Sequence, residues 1–196
     1  MKNKFAILNH TIEHFTNSLY VDAQLKPFER DMEVTYIYLT SKTIDLNKCS
    51  FVFNLNFNNW EERPYLSTDR LWPMFSNELI EIIKKHYKEL VCFPVTLIDK
   101  KGNEHINKYC IVQIPHVEGL VDYETSVFER KKLYPKLFAS VSKIVFNPNV
   151  KTNAIFRLQE YSQVMLINEE LYKDLLEHNF TNLTLTDMDS YDWSYL

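Results

Sequence analysis

The segment His10-Thr11-Ile12-Glu13-His14 contains residue types that bind zinc in the His-x-x-Glu-His pattern of metalloproteases. On a helix, His10 and His14 would share a face one turn apart and could bind Zn²⁺, with Glu13 as general base. The pattern has only three fixed positions, lies near the first residue, and is followed by no clear third ligand. A metal-dependent hydrolase is therefore an alternative function only, and we predict no metal and no other cofactor.

Asp122, Glu124, Ser126 and Arg157 could in principle form a hydrolytic site, since they supply an acidic pair, a serine and a cation. No histidine in the sequence is obviously placed to act as the base. The structural interpretation is that Asp122 or Ser126 caps a turn and that Arg157 anchors a loop by a charge-assisted hydrogen bond. We therefore predict no catalytic residue and no enzyme activity.

Two stretches combine carboxylates with aromatic residues and suit docking onto a basic protein, because rings supply buried area and charges steer association. The candidate partner-binding residues are Trp60, Glu61, Glu62, Asp187, Asp189, Asp192 and Trp193. The alternative for the second stretch is an acidic, partly frayed end with its tryptophan packed on the core.

The glycine count excludes several nucleotide-binding and hydrolytic classes. Gly102 and Gly119 are the only glycines among 196 residues. P-loops, dinucleotide fingerprints and nucleophile elbows need more glycine for tight turns and close approach to phosphate. A net charge of −4 argues against tracking a phosphate backbone, so we predict no nucleic-acid partner.

The thiols and the hydropathy pattern predict a cytoplasmic protein that does not insert into a membrane. Cys49, Cys92 and Cys110 are odd in number and form no Cys-x-x-Cys pair, which is typical of reduced thiols. No apolar run is long enough for a signal peptide or a membrane span.

Two amphipathic segments predict the main helices, at about 75–90 and 168–178. Ser76 can cap the first helix, while Asn168 caps the second and Asn179 closes it in a left-handed conformation. The segment 125–138 could carry a helical turn or two, but Pro135 limits it.

Alternating or apolar segments predict strands between and around the helices. Phe51–Phe57 alternates apolar and polar residues, and Phe93–Ile98 and Lys108–Ile114 flank a polar loop as in a hairpin. The expected fold class is α+β with a mixed or largely antiparallel sheet. We expect one globular domain, or two packed lobes with a variable lobe at 1–65 and a second at 70–196.

An ordered series of short signals resembles a family of bacterial immunity proteins from polymorphic toxin systems, formerly catalogued as a domain of unknown function. The signals are Leu71-Trp72-Pro73-Met74-Phe75-Ser76, Phe93-Pro94-Val95, Tyr109-Cys110-Ile111-Val112, Val121-Asp122-Tyr123-Glu124-Thr125-Ser126, Ile155-Phe156-Arg157-Leu158 and Asn168-Glu169-Glu170-Leu171. The similarity covers about residues 71–186. Members usually carry glycine between the last helix and strand, where this chain has Asn179 and Asn182.

The resemblance implies a non-enzymatic inhibitor that binds and blocks a cognate toxin domain, encoded by a neighbouring gene and made in the same cell. It supplies no catalytic residues and leaves the oligomeric state open. A further alternative is a structural or regulatory binding protein of a mobile element.

Overall fold

The computed structural model describes residues 4–10, 21–26, 50–55, 62–67, 72–162, 164–191 and 193. The helices are α1 (Asn77–His86) and α2 (Glu169–His178), with a 3-10 turn at Met188–Ser190. The strands are β1 (Phe5–His10), β2 (Val21–Lys26), β3 (Ser50–Leu55), β4 (Tyr65–Ser67), β5 (Pro73–Ser76), β6 (Val91–Ile98), β7 (Glu104–Gln113), β8 (His116–Val117), β9 (Val127–Arg130), β10 (Phe138–Lys143), β11 (Ile155–Leu158), β12 (Met165–Asn168) and β13 (Leu183–Asp187). The predicted α+β class is confirmed. Among the residues described, no helix has the length and hydropathy needed to cross a bilayer.

The chain divides into two compact units. Unit 1 comprises Met1–Asn9, Ile114–His178 and Thr184–Leu196, and unit 2 comprises His10–Gln113 and Asn179–Leu183. The lobes predicted from sequence, 1–65 and 70–196, have other boundaries, and that division stays a prediction.

Unit 1 contains a mixed five-stranded sheet in the order β13-β1-β12-β11-β8. Strand β12 pairs antiparallel with both β1 and β11, whereas β11 pairs parallel with β8. All four residues of β11 are buried, so both faces of this strand are covered. Strands β9 and β10 form a separate antiparallel pair.

Helix α2 begins directly where β12 ends. Asn168 is the last residue of β12, and its Oδ1 accepts the backbone N–H of Leu171 at 3.0 Å, which satisfies a donor of the first helical turn. Leu171 and Leu175, one turn apart, form the buried stripe of the helix.

Unit 2 contains a six-stranded sheet in the order β2-β3-β6-β7-β5-β4. Strands β3 and β6 are parallel, and the other neighbours pair antiparallel, including the predicted β6–β7 hairpin. Phe51, Phe53 and Leu55 are buried while Val52 and Asn54 between them are half-buried, which confirms the alternation that the sequence predicts. Residues 56 and 57 lie outside the part described.

Helix α1 is shorter than the predicted segment 75–90. Phe75 belongs to β5, where it pairs with Cys110 and its ring contacts Tyr65 at 5.2 Å between centroids. Ser76 caps the helix by accepting the N–H of Leu79, and the helix ends at His86 because β6 starts only five residues later. Strand pairing therefore determines the ends of α1 more than the helical period does.

The segment 125–138, which the sequence allows a helical turn or two, contains a strand instead. Val127–Arg130 forms β9, which pairs with β10. The register shifts between Phe138 and Ser140 and between Val141 and Lys143, so the period-two pattern of a regular strand pair is interrupted.

Replacing the Asn168 cap tests how far α2 depends on it. We expect Asn168→Ala to lower the free energy of unfolding by about 1 kcal/mol, because the N–H of Leu171 loses its acceptor. Urea denaturation followed by circular dichroism measures the difference. Asn149→Ala, an exposed asparagine, is the control; equal stability of the two variants would contradict a capping contribution.

Candidate partner-binding surfaces

Of the three fixed residues of the His-x-x-Glu-His motif, His10 alone lies in the described part of the chain. His10 is the last residue of strand β1, which gives it strand geometry rather than the helical geometry that the motif needs. Glu13 and His14 lie outside the described residues. Within the part of the chain that is described, no group of three or more His, Cys, Asp or Glu side chains could hold a metal ion.

Asp122 and Ser126 close the turn that precedes β9. Asp122 Oδ1 accepts the N–H of Glu124 at 3.0 Å. The pKa of Asp122 lies below its ordinary value, first because of a hydrogen bond from the Thr125 side chain and second because of this bond from the Glu124 backbone. Ser126 Oγ accepts the N–H of Val145 at 2.9 Å and donates to its carbonyl at 3.3 Å. The serine oxygen is thus engaged with backbone.

Arg157 and His116 occupy paired positions on β11 and β8. Arg157 is 5% exposed, and its Nη1 donates to the carbonyl of Ser162 at 2.5 Å. His116 Nε2 is buried with no hydrogen-bond partner among the described residues. Burial, and secondarily the Arg157 charge, lowers the pKa of His116 to about 4, so this imidazole is neutral at pH 7.

The first predicted acidic stretch is described only at Glu62, since Trp60 and Glu61 lie outside the described residues. Glu62 is exposed and forms an ion pair with Lys108 of β7. Both residues line a concave pocket of about 340 Å³ within unit 2, in which the Asn77 side chain donates to the Asn107 carbonyl at 2.6 Å. The role of this stretch in partner binding stays a prediction.

The second predicted stretch follows β13. Asp187 ends the strand, and its carbonyl accepts the Ser190 hydroxyl at 2.9 Å. Trp193 is buried at 6% exposure, with its ring 4.9 Å from that of Tyr191. Asp192 and the side chain of Asp189 are not described. Partner binding through these residues also stays a prediction.

Sequence reasoning missed the surface around the β9–β10 hairpin. Four of the six large hydrophobic residues exposed in the described part of the chain lie within twelve positions of each other. They are Tyr123 at 44%, Val127 at 55%, Leu133 at 86% and Tyr134 at 64% exposure. Arg130, Lys131, Lys132 and Lys136 are exposed beside them. The run Arg-Lys-Lys-Leu-Tyr-Pro-Lys in an acidic chain is the sequence signal for this surface. We call these eight residues the hairpin surface.

The loop between the two strands is closed by hydrogen bonds to its backbone. The N–H of Lys131 donates to the carbonyl of Leu137 at 2.9 Å, and the N–H of Leu137 donates to the carbonyl of Tyr134 at 2.8 Å. Arg130 Nη1 donates to the carbonyl of Pro135 at 2.6 Å. Leu133 and Tyr134 therefore project from an ordered turn.

An aromatic cluster supports Arg130. Its guanidinium carbon lies 4.8 Å from the centre of the Tyr123 ring and 5.1 Å from that of Phe128, within cation–π range. Phe128 stacks on the buried Phe138 at 4.3 Å. The Tyr123 hydroxyl donates to the carboxyl group of Glu160, which is 3% exposed. Burial and then Glu160 raise the pKa of Tyr123 to about 12.

Removing the Tyr123 hydroxyl should destabilise unit 1. We expect Tyr123→Phe to lower the free energy of unfolding by about 1–3 kcal/mol, because a buried carboxyl oxygen then loses its donor. Tyr134→Phe removes the same atom from a ring that is 64% exposed and should change stability little. Denaturant unfolding measures the free energy of unfolding of both variants. An equal loss of stability in the two variants would contradict a specific contribution from the bond to Glu160.

His116 should make stability depend on pH. Its folded-state pKa, about 4, lies below the ordinary histidine pKa of 6.5, so the unfolded chain takes up the proton first as pH falls. The free energy of unfolding should therefore decrease between pH 6.5 and 4, and this part of the decrease should disappear in His116→Gln. Urea unfolding at pH 7 and 4.5 measures the free energy of unfolding of both proteins. His86→Gln is the control, and an identical pH response in wild type and His116→Gln would refute the assignment.

Comparison with known families agrees with the sequence resemblance. The model of the immunity protein 43 family matches residues 65–196, which include α1, α2 and the whole hairpin surface. A comparison with curated proteins gave no match. The matched residues are more than half of the chain, and the predicted relation to immunity proteins of polymorphic toxin systems is confirmed. This chain belongs to the immunity protein 43 family.

Proposed function

We propose that this protein binds a cognate bacterial toxin domain and neutralises it by stoichiometric, non-covalent association. The observation that carries the proposal is the family match over residues 65–196. The toxin domain is encoded by a neighbouring gene, and the complex forms in the cytoplasm of the cell that makes both proteins. No cofactor, nucleic acid or membrane takes part in the inhibition.

The contacts of the candidate catalytic residues support a binding role. Ser126 Oγ forms two hydrogen bonds with the Val145 backbone, and Arg157 donates to the Ser162 carbonyl. His116 is neutral at pH 7 and has a buried Nε2. Ser126 and Arg157 thus hold loops and strands together, whereas the exposed apolar and charged side chains of unit 1 offer contact area for a protein.

Co-expression with the adjacent toxin gene tests the proposal directly. Cells that express the toxin domain alone should stop growing, and cells that also express this chain should grow. The two proteins should co-purify in a fixed ratio, measured by size-exclusion chromatography with light scattering. Growth arrest that persists despite soluble expression, together with no complex, would contradict the proposal.

Glu13→Gln separates inhibition by binding from hydrolysis by the His-x-x-Glu-His motif. A hydrolase would lose its general base and its protection by a factor of 100 or more, on the order of general-base contributions. An inhibitor that acts by binding should protect as well as wild type. The readout is growth rescue at matched expression, with the zinc content of the purified protein as a second measurement. Loss of rescue with stoichiometric zinc would favour the hydrolase.

A further inference from the structure

We infer that the hairpin surface is the face that docks onto an acidic surface of the toxin domain. This inference rests on the proposed function, because its occupant is the proposed toxin partner. It assigns the contact to a part of the chain that differs in charge and position from the acidic stretches at 60–62 and 187–193.

The apolar component of the surface is concentrated and accessible. Leu133 and Tyr134 are adjacent, 86% and 64% exposed, and stand at the end of the hairpin. Tyr123 and Val127 add exposed area at its base. Clustered exposed apolar groups mark interaction sites on soluble proteins, and tyrosine is enriched among the residues that dominate binding energy.

The charge of the hairpin opposes that of the chain. Residues 127–143 contain five cationic side chains and one carboxylate, a net charge of +4, within a chain of net charge −4. The remaining residues therefore carry −8. A basic patch on an acidic protein orients an approaching partner whose facing surface is acidic, and it repels basic partners at that face.

Hydrogen bonds close the loop in the unbound chain. The Lys131–Leu137 and Leu137–Tyr134 backbone bonds and the Arg130–Pro135 bond fix its turn. Arg130 is itself positioned over Tyr123 and Phe128. An ordered loop loses little conformational entropy on association, so the area it buries contributes more fully to affinity.

The arrangement favours a protein over a polyanion or a bilayer. Leu133 and Val127, two of the four exposed apolar side chains of the surface, are aliphatic and cannot stack on nucleic-acid bases. Val127 lies at the end of β9 away from the loop, about 10 Å from Arg130 at the rise of a strand. A membrane that contacts only the loop end would leave Val127 uncovered, whereas a protein surface of about 800 Å² can cover both ends.

Matched pairs of variants test the inference in the full chain. Leu133→Ala with Tyr134→Ala removes the apolar part, and its control is Ile106→Ala with Leu176→Ala, which are 56% and 51% exposed. Lys131→Glu with Lys132→Glu reverses the charge, and its control is Lys100→Glu with Lys101→Glu in the β6–β7 loop. Circular dichroism and thermal unfolding verify that every variant is folded. Binding to the inactivated toxin domain is measured by calorimetry and surface plasmon resonance.

We expect the Leu133/Tyr134 variant to weaken binding about 30-fold or more, mainly through faster dissociation. The Lys131/Lys132 variant should slow association about tenfold at low salt, with a smaller difference at high salt. Both controls should remain within about twofold of wild type, since their residues lie outside the hairpin surface. A carbodiimide that joins amines directly to carboxylates should cross-link Lys131, Lys132 or Lys136 to Asp or Glu of the toxin domain.

The outcomes distinguish this inference from the proposed function. If wild type binds and protects, and the hairpin variants do so equally well, the docking assignment is overturned and the proposed function stands. If wild type neither binds nor protects, both fail. Wild type is also tested for binding to phosphatidylserine vesicles, to a 20-nucleotide single strand and to a second copy of itself. If the hairpin variants lose binding to one of these ligands but retain toxin binding, the surface is assigned to that ligand and the inference is overturned.

Discussion

The position of the hairpin in unit 1 depends on the buried residue Glu160. Its backbone carbonyl accepts the N–H of Phe138 at 2.9 Å, and its carboxyl group accepts the Tyr123 hydroxyl. One residue thus connects the first residue of β10 to the turn before β9. The other carboxyl oxygen of Glu160, Oε2, is buried without a hydrogen-bond partner among the described residues, so loss of the Tyr123 bond would leave both oxygens unpaired and Tyr123 is held in place. Its ring then lies under Arg130, and Arg130 closes the exposed loop by its bond to Pro135.

A second constraint is the scarcity of glycine, and asparagine occupies left-handed backbone positions in its place. Asn107, Asn179 and Asn182 have φ of 57°, 48° and 64°, in the left-handed region that glycine usually occupies. Asparagine tolerates this conformation better than other residues with a Cβ, because its short polar side chain can bond locally. Asn179 follows α2 directly, so the helix ends where a glycine cap would have ended it. The chain therefore reaches β13 without the glycines that the resemblance leads one to expect.

Sequence reasoning succeeded where the signal was local. The Asn168 position and the Leu171 and Leu175 stripe predict α2 almost to its ends, and Phe51, Phe53 and Leu55 predict the buried face of β3. It failed at β9, because a strand of only four residues is too short for its alternation to be recognised. In its partner β10, the extra residues Ala139 and Ser142 interrupt the alternation that identifies a strand.

The hairpin surface was missed for a related reason. Sequence motifs locate catalytic groups by fixed spacing, but a docking surface needs exposure, which depends on contacts far along the chain. Tyr123 is fixed by Glu160, 37 positions away, and nothing in the spacing of these two residues indicates that they meet. The same limit applies to Ser126 and Val145, whose bonds remove the serine from the list of nucleophiles only once the fold is known.

The bonds that close the loop do not involve the side chains proposed to contact a partner at Lys131–Tyr134 and Lys136. The three bonds that close it are accepted by the backbone carbonyls of Leu137, Tyr134 and Pro135. None of these bonds uses the side chain of Leu133, Tyr134 or a loop lysine. The side chains at 131–134 and 136 can therefore change without loss of these bonds, whereas a change of Arg130 removes its bond to Pro135. For the proposed docking onto a toxin domain, this division means that affinity can be altered at residues 131–134 and 136 while the bonds that hold the loop stay constant.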